Sequence, residues 1–151
     1  MRKLVLGMAL VAVTSLGATS VIAADDPIEI RKSIMQSVGA AAGLGGGMMK
    51  GEIAYTPAAG KAVIAAMDAS AHSFGSFFPA GSEAGDTTAS PKIWEDAAGF
   101  EAALAKFSEA TGAAMAASGR SGPADVDAFK AAMGPVFGNC KSCHEAFRVK
   151  K

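Results

Sequence analysis

The sequence is poor in the residues that define most kinds of functional site. Its 151 residues include two cysteines, two histidines, one tryptophan and one tyrosine. The 14 basic and 14 acidic residues balance, so no excess of positive charge indicates binding to nucleic acid. Alternation of apolar and polar residues with a period of two is also absent, which argues against β-strands. The remaining pattern is that of one alanine-rich, helical domain.

Residues 1–23 have the pattern of a secretory signal peptide. Met1-Arg2-Lys3 is a short basic start, and the apolar run from Leu4 to Leu16 is too short to span a bilayer comfortably. Small residues follow, and they predict cleavage after Ala23 or the next alanine. We therefore predict a mature domain of residues 24–151 in the periplasm, without membrane attachment after cleavage. An uncleaved leader that acts as a membrane anchor is the alternative.

Four amphipathic helices are predicted in the mature chain. The first three each begin with a capping residue followed by proline, at Asp26-Pro27, Thr56-Pro57 and Ser90-Pro91. The fourth is predicted from about Pro123 to Val149, with a kink caused by Pro135. Because most of the links are short, we expect an all-α, up-down-up-down antiparallel four-helix bundle.

The first helix carries an apolar stripe and then a run of glycines. Ile30, Ile34, Val38 and Ala42 recur every four residues, which predicts the buried face. The sequence GLGGG at 43–47 weakens the helix and leaves its end undefined. Low sequence complexity would account for this run, and so would the close approach of two backbones.

Both cysteines lie in the sequence CKSCH, near the end of the last helix. Two thiols in an exported protein could form a disulfide, and Cys-x-x-Cys could be a redox motif, but that motif normally opens a helix beside a strand. Cys-x-x-Cys followed directly by histidine is instead the attachment sequence for c-type haem. Three residues span slightly less than one helical turn, so Cys140 and Cys143 would bind both vinyl groups of one haem. His144 would then bind the iron from one face.

Depth along the bundle selects Met35 for the other face of the iron. His144 lies about 8 Å from the predicted end of the last helix, and Met35 about 12 Å into the antiparallel first helix, at 1.5 Å per residue. Met48 and Met49 would lie more than about 30 Å along the same axis. Ordinary core packing is the other interpretation of Met35, and His72 is a second candidate ligand. No histidine or carboxylate suited to acid–base catalysis is evident at the depth of Met35, so an enzyme such as a peroxidase is not expected.

Two arginines are expected near the edge of the haem. Arg31 precedes Met35 by one turn, and its planar cation would suit a haem propionate; a solvated surface arginine is the alternative. Arg148 follows His144 by four residues, so on a helix it lies one turn further on the same face. There it would cover the proximal side of the haem or pair with a carboxylate. Trp94 is expected to pack at this same end of the bundle.

Together these residues resemble the cytochrome c prime family, the class II cytochromes c. The resemblance is carried by CKSCHEAFR at 140–148, SPKIW at 90–94 and RKSIM at 31–35. KGEIAY at 50–55 is similar to the low-spin members of the family. The resemblance implies one covalent haem c with its iron and a redox partner protein. It is also compatible with small gas ligands and with a homodimer.

The family has two branches, and the resemblance implies a different function for each. In the low-spin branch a methionine of the first helix ligates the iron, and the protein is an electron carrier. In the high-spin branch the iron is five-coordinate and binds gases such as NO. Some high-spin members also hold a non-bonding methionine at the position that Met35 occupies. We predict a periplasmic single-electron carrier with His144 and Met35 as axial ligands; a five-coordinate protein that binds or buffers NO or CO is the alternative.

Overall fold

A computed structural model describes residues 26–150, so the predicted signal peptide and its cleavage site lie outside the described residues. Within that range the chain forms five α-helices and one 3-10 helix. They are α1 (Pro27–Lys50), α2 (Pro57–Ser73), the 3-10 helix (Phe74–Phe77), α3 (Lys92–Glu95), α4 (Ala97–Ala117) and α5 (Val126–Phe147). None of these helices combines the length and apolar character that a membrane span requires.

The four long helices pack in a ring that follows their order in the chain. α1 contacts α2 and α5, and α4 contacts the same two helices from the other side. The short α3 precedes α4 and packs against α4 and α5. This arrangement confirms the predicted all-α four-helix bundle. Between residues 26 and 150 the only pairing of the β type is an isolated antiparallel bridge between Ala89 and Arg148.

The first two helices begin where the sequence predicts. The Asp26 carboxylate accepts a hydrogen bond from the Ile28 amide at 2.8 Å, and the Thr56 hydroxyl accepts one from the Ala59 amide at 3.1 Å. In both cases the proline that follows the cap lies in the first turn, where no hydrogen-bond acceptor is available for an N–H group. At both sites the capping residue and the proline therefore predict the observed start of the helix.

The prediction of one continuous third helix is wrong, because this part of the chain forms two helices, α3 and α4. Asp96 leaves helical geometry with φ −126° and ψ 59°, and its carboxylate accepts a hydrogen bond from the Gly99 amide at 3.1 Å. Asp96 is therefore the N-cap of α4. The apolar spacing of Ile93, Ala97 and Phe100 continues across the break, and this continuity hides the cap in the sequence.

The last helix is shorter at both ends than predicted. It begins at Val126, where the Asp125 carboxylate accepts a hydrogen bond from the Ala128 amide at 2.8 Å, and not near Pro123. It ends at Phe147, and Arg148 is already extended with φ −124° and ψ 132°. Pro135 lies inside the helix, as expected.

The buried face of α1 follows the predicted stripe. The buried residues of this helix are Arg31, Val38, Ala41, Gly45, Gly47 and Met48. Ile30, Ile34 and Ala42 are only half-buried. At about 100° per residue, the buried residues other than Gly47 point to the same side of the helix as the stripe. Arg31 and Met35 point to the side of this stripe on which Ala42 lies.

The glycine run does not end α1, which continues to Lys50 and stops at Gly51 with a φ of 77°. A methyl group added at Gly45 would lie 3.3 to 3.4 Å from the side chains of Val63, Phe129 and Phe137. The close approach at Gly45 therefore involves side chains and not a second backbone. Gly43 has no such neighbour within 4 Å.

The substitution Gly43→Ala is expected to raise the free energy of unfolding by about 0.4–1 kcal/mol, because alanine restricts the unfolded chain and fits helical geometry. Gly45→Ala is the matched control on the same helix, and it should gain less because its methyl group meets three packed side chains. Thermal or denaturant unfolding of both variants measures the difference. A Gly43→Ala protein with a lower free energy of unfolding than the wild type would contradict this expectation. It would show that a methyl group at position 43 does meet other atoms.

The interior has two apolar clusters. The larger contains Met48, Val63, Met67, Phe129 and Met133 with their neighbours on all four long helices. The smaller contains Ile93, Phe100 and Phe147, against which Phe74, Phe78 and Trp94 pack. The smaller cluster lies at the end of the bundle that carries the cysteines, because Cys143 packs against it.

Candidate cofactor site

A cavity of about 540 Å³ lies among α1, α4, α5 and residues 78–91, which we name the crossover segment. Its volume lies within the range of about 300–1,000 Å³ that is usual for cofactor sites. The six predicted site residues all line it: Arg31, Met35, Cys140, Cys143, His144 and Arg148. The fold therefore brings the RKSIM sequence of the first helix and the CKSCH sequence of the last to the walls of one cavity.

Cys140 and Cys143 are free, half-buried thiols on α5. Burial raises the pKa of both thiols, and the charge of Cys140 raises the pKa of Cys143 further. At neutral pH both are therefore protonated, and a protonated thiol is a weak nucleophile.

His144 is exposed at the rim of the cavity. Partial desolvation, and then repulsion by Arg148, lower the pKa of its imidazole. The neutral imidazole is therefore favoured near pH 7. This is the form that binds a metal.

Met35 is half-buried on α1 and lines the same cavity as His144. Met48 is buried in the larger core cluster and Met49 packs against it, so neither methionine reaches the cavity wall. His72 is 64% exposed on α2, where the Asp68 carbonyl lies 2.8 Å from its Nδ1, and it does not line the cavity either. Among the candidate partners for His144, only Met35 lies in the wall.

Arg31 is buried, with 4% of its surface exposed, so the solvated-surface alternative is wrong. Its Nη1 and Nη2 donate to the hydroxyl and the carbonyl of Ser82 at 3.2 and 2.8 Å. The guanidinium carbon lies 4.7 Å from the centre of the Phe78 ring and 5.6 Å from that of Trp94. Burial lowers the pKa of the guanidinium, against the opposite influence of Asp26 and Glu83. The buried Nε has no hydrogen-bond partner.

Arg148 is exposed and lies beyond the end of α5, so the predicted continuation of the helical face is wrong. Its Nε donates to the Thr88 hydroxyl at 3.3 Å, and its backbone pairs with Ala89. The extended backbone therefore turns Arg148 towards the crossover segment while it remains in the cavity wall. Trp94 packs at this end of the bundle, as predicted, and its indole donates to the Pro79 carbonyl at 3.3 Å.

Ser82 and Thr88 are the site residues that the sequence did not reveal. Both lie in the crossover segment, where serine, threonine and glycine follow no periodic pattern. Ser82 holds Arg31, and Thr88 holds Arg148. The one indication of them in the sequence was Arg31, an arginine beside the apolar stripe of the first helix. A buried cation requires polar partners from some other part of the chain.

The residues present fit a covalently bound haem. The cavity offers two thiols at attachment spacing, a neutral imidazole, a thioether on a different helix and mostly apolar walls. It also offers a buried guanidinium with an unpartnered Nε. Within residues 26–150 no cluster of three or more histidine, cysteine or acidic side chains could hold a metal ion by itself. The side-chain set is therefore that of a site for iron inside a macrocycle and not that of a bare-metal centre.

Comparisons with known proteins agree with this geometry. A family model described as cytochrome c′ matches residues 26–148. Cytochrome c′ of Rhodopseudomonas palustris is 39% identical over 137 residues, which cover 90% of each protein. Cytochrome c-556 of Agrobacterium fabrum is 34% identical over 124 residues, which cover 82% of each. The solved structure of the Rhodopseudomonas palustris cytochrome c′ has a TM-score of 0.76 at 40% identity and covers 85% of this chain and 99% of that chain.

Proposed function

Because the chain belongs to the cytochrome c′ family, whose members carry one covalent haem c, we propose that it is a periplasmic single-electron carrier with His144 and Met35 as axial ligands of the iron. One observation carries the proposal. Met35 on α1 and the CKSCH sequence on α5 line the same cavity, while the other candidate ligands lie outside it.

Each residue of the attachment sequence has a distinct part in this proposal. Cys140 and Cys143 hold the macrocycle through two thioether bonds. His144 presents a neutral nitrogen, which its lowered pKa favours. Exchange of a single electron is the chemistry that the haem supplies when bound. A thioether from Met35 would favour the reduced state and raise the reduction potential.

The walls of the cavity support electron transfer by excluding water. Phe100, Leu104 and Phe147 are apolar lining residues, and Phe100 and Phe147 are buried. A dry surrounding limits reorganisation of the solvent and makes fixed charges more effective. No aspartate or glutamate lines the cavity, and His144 is its only histidine. Since His144 is assigned to the iron, the wall offers no other histidine or carboxylate as a general acid or base, and we propose no enzymatic reaction.

Arg31 and Arg148 are the proposed contacts of the haem propionates. Arg31 takes part in none of the ion pairs of residues 26–150, although it is buried. A buried cation requires a counter-charge or strong hydrogen bonds, and its free Nε can donate to a carboxylate. Arg148 is exposed, so its contact would be weaker and more strongly screened by salt.

A five-coordinate protein that binds NO or CO is the second candidate. Relatives named cytochrome c′ and cytochrome c-556 both match the chain, so similarity alone does not choose between the two candidates. This candidate is supported by a 30% identical relative, a mutant of the cytochrome c′ of Alcaligenes xylosoxidans, whose solved structure is a nitric oxide complex. In this case Met35 would stand over the iron without bonding it, and a small gas would displace nothing when it binds.

The absorption spectrum of the purified haem protein tests the proposed function. Six-coordinate, low-spin iron is expected to give sharp bands in the reduced protein and a weak methionine-to-iron charge-transfer band in the oxidised protein. Mass spectrometry under denaturing conditions is expected to show one haem that remains attached. A broad high-spin spectrum that changes at once with CO would select the gas-binding alternative, and the absence of attached haem would exclude both.

A further inference from the structure

The crossover segment links the helix that carries Met35 to the helix that carries His144. We propose that the contact of Arg31 with Ser82 is a positioning contact, which holds α1 at the depth where the sulfur of Met35 reaches the iron. The inference rests on the proposed function, because it concerns the same pair of axial ligands. It assigns to Ser82 a role in ligation that does not require contact with the haem.

The first half of the link joins α1 to the crossover segment. Arg31 lies one helical turn before Met35, and both line the cavity. Two hydrogen bonds fix the guanidinium to Ser82, and the rings of Phe78 and Trp94 enclose it. Because the guanidinium is buried and planar, it has few alternative positions. A sliding movement or rotation of α1 that displaced Met35 would have to break these contacts.

The second half joins the crossover segment to the end of α5. The Ser90 amide donates to the Phe147 carbonyl at 3.0 Å, and the Val149 amide donates to the Thr88 carbonyl at 2.9 Å. Phe147 follows His144 by three residues and belongs to the same helix. The position of the segment is therefore fixed relative to the helix that carries the histidine ligand.

Ser82 is itself held in a defined turn. Its hydroxyl donates to the Pro79 carbonyl at 2.8 Å, and its amide donates to the same carbonyl at 3.2 Å. The indole of Trp94 donates to this carbonyl as well, at 3.3 Å. The hydroxyl of Ser82 thus contacts two groups. One is the Pro79 carbonyl, which also accepts from Trp94 of α3, and the other is the guanidinium of Arg31 on α1. Loss of that oxygen removes one of the two acceptors of Arg31 and loosens the turn.

Ligation by a thioether is sensitive to such loosening. A methionine sulfur is a neutral ligand, so its bond to iron depends on being held in place by the surrounding structure. Outer-shell groups that orient a ligand commonly change metal affinity by 10–100-fold. A looser α1 is therefore expected to populate a five-coordinate state in which Met35 is present but no longer bonded.

The test is the substitution Ser82→Ala in the haem-loaded protein, which leaves the charge of Arg31 and its proposed propionate contact in place. The expected result is a partial shift of the absorption spectrum towards the high-spin form and CO association faster by about tenfold, the lower end of the outer-shell range. Ser82→Thr retains the hydroxyl and is expected to preserve the wild-type spectrum. Ser70→Ala is the matched control, because Ser70 is buried to a similar extent (9% against 6% exposed) and its hydroxyl donates only to Ala66.

The outcomes separate this inference from the proposed function. A low-spin wild-type protein whose spectrum and CO association do not change in Ser82→Ala would overturn the positioning role alone. Equal changes in Ser70→Ala and Ser82→Ala would also overturn it, because they would trace the effect to general loss of stability. A Ser82→Thr protein that behaves like Ser82→Ala would also overturn the positioning role, because threonine retains the hydroxyl. A high-spin wild-type protein would overturn both the proposed ligation and the inference drawn from it.

Discussion

Replacing Met35 with alanine is expected to convert the low-spin haem protein into a high-spin one that binds CO rapidly. The thioether is the proposed sixth ligand, and no other methionine or histidine shares the cavity wall with His144. Alanine has no atom that can reach the iron, so the sixth position becomes free. The methionine-to-iron charge-transfer band should disappear, and the reduction potential should fall because the thioether no longer favours the reduced state.

Met35→Ala should change the rate of CO association more than any substitution outside the proposed ligands does. CO association is expected to rise more than about 100-fold, the upper limit of what outer-shell partners contribute. The free energy of unfolding should fall by about 2 kcal/mol, near the low end for methionine truncation, because Met35 is only half-buried. Stopped-flow mixing with CO and thermal unfolding measure the two effects.

Met49→Ala is the matched control for Met35→Ala. Met49 lies on the same helix and is also half-buried, but it packs against the larger core cluster and not against the cavity. It should lose a similar amount of stability and retain the wild-type spectrum. If Met35→Ala also retained that spectrum, Met35 would be a packing residue, and the single-electron carrier with two protein ligands would have to be abandoned.

The double substitution Cys140→Ser and Cys143→Ser is expected to abolish covalent attachment of the haem. A hydroxyl does not replace a thiol in the coupling to a vinyl group, and these are the only two cysteines in the chain. The chain should then show no attached haem by denaturing mass spectrometry. Its thermal midpoint should fall, because the cavity of about 540 Å³ would lose a group bonded to its wall.

Ser142→Ala tests whether the loss is specific to the thiols. Ser142 lies between them on the same turn of α5, is exposed, and donates only to the Asn139 carbonyl at 3.2 Å. Its removal should leave the haem content unchanged. Attached haem in the double serine variant would mean that some other nucleophile forms the bond, and it would remove the basis for assigning Cys140 and Cys143.

That Met35, Cys140, Cys143 and His144 lie in one cavity wall could be predicted from the sequence, because the position of each depends on a local rule. The attachment sequence is contiguous, so it needs no knowledge of the fold. Met35 follows from counting residues from the start of the first helix and from the end of the last, and the cap at Asp26 fixes the first of these two positions. A depth along a helix axis tolerates an error of one residue, because each residue adds only about 1.5 Å. The ends of α5 were misplaced by two or three residues without affecting the choice.

The burial of Arg31 and the division of the third helix could not be predicted in the same way. Arginine is rarely fully buried, and Ser82, which accepts its hydrogen bonds, lies 51 residues away in the sequence. At Asp96 the apolar spacing continues although the helix stops, and only the cap hydrogen bond reveals the break.

The crossover segment was the least predictable part of the site. Phe78 of this segment packs against the smaller apolar cluster. The hydrogen bonds of Ser82 and Thr88 join this segment to residues 51 and 60 positions away, and no pattern within the segment indicates such partners. Contacts of this kind depend on how the helices meet, which periodicity alone does not determine.

The pairing of Thr88 and Ser90 with the residues around Phe147 also has a consequence for the order of folding. The strand-like contact uses Val149, which lies two residues beyond the end of α5 and 61 residues after Thr88. A chain that emerges from its N-terminus completes α1 and α2 long before these residues are available, and contacts of large sequence separation form late. We therefore expect the haem to bind to a partly folded bundle in which the crossover segment has not yet paired with the end of α5. Phe147 and Val149 would then close this side of the bundle behind the haem through their backbone hydrogen bonds.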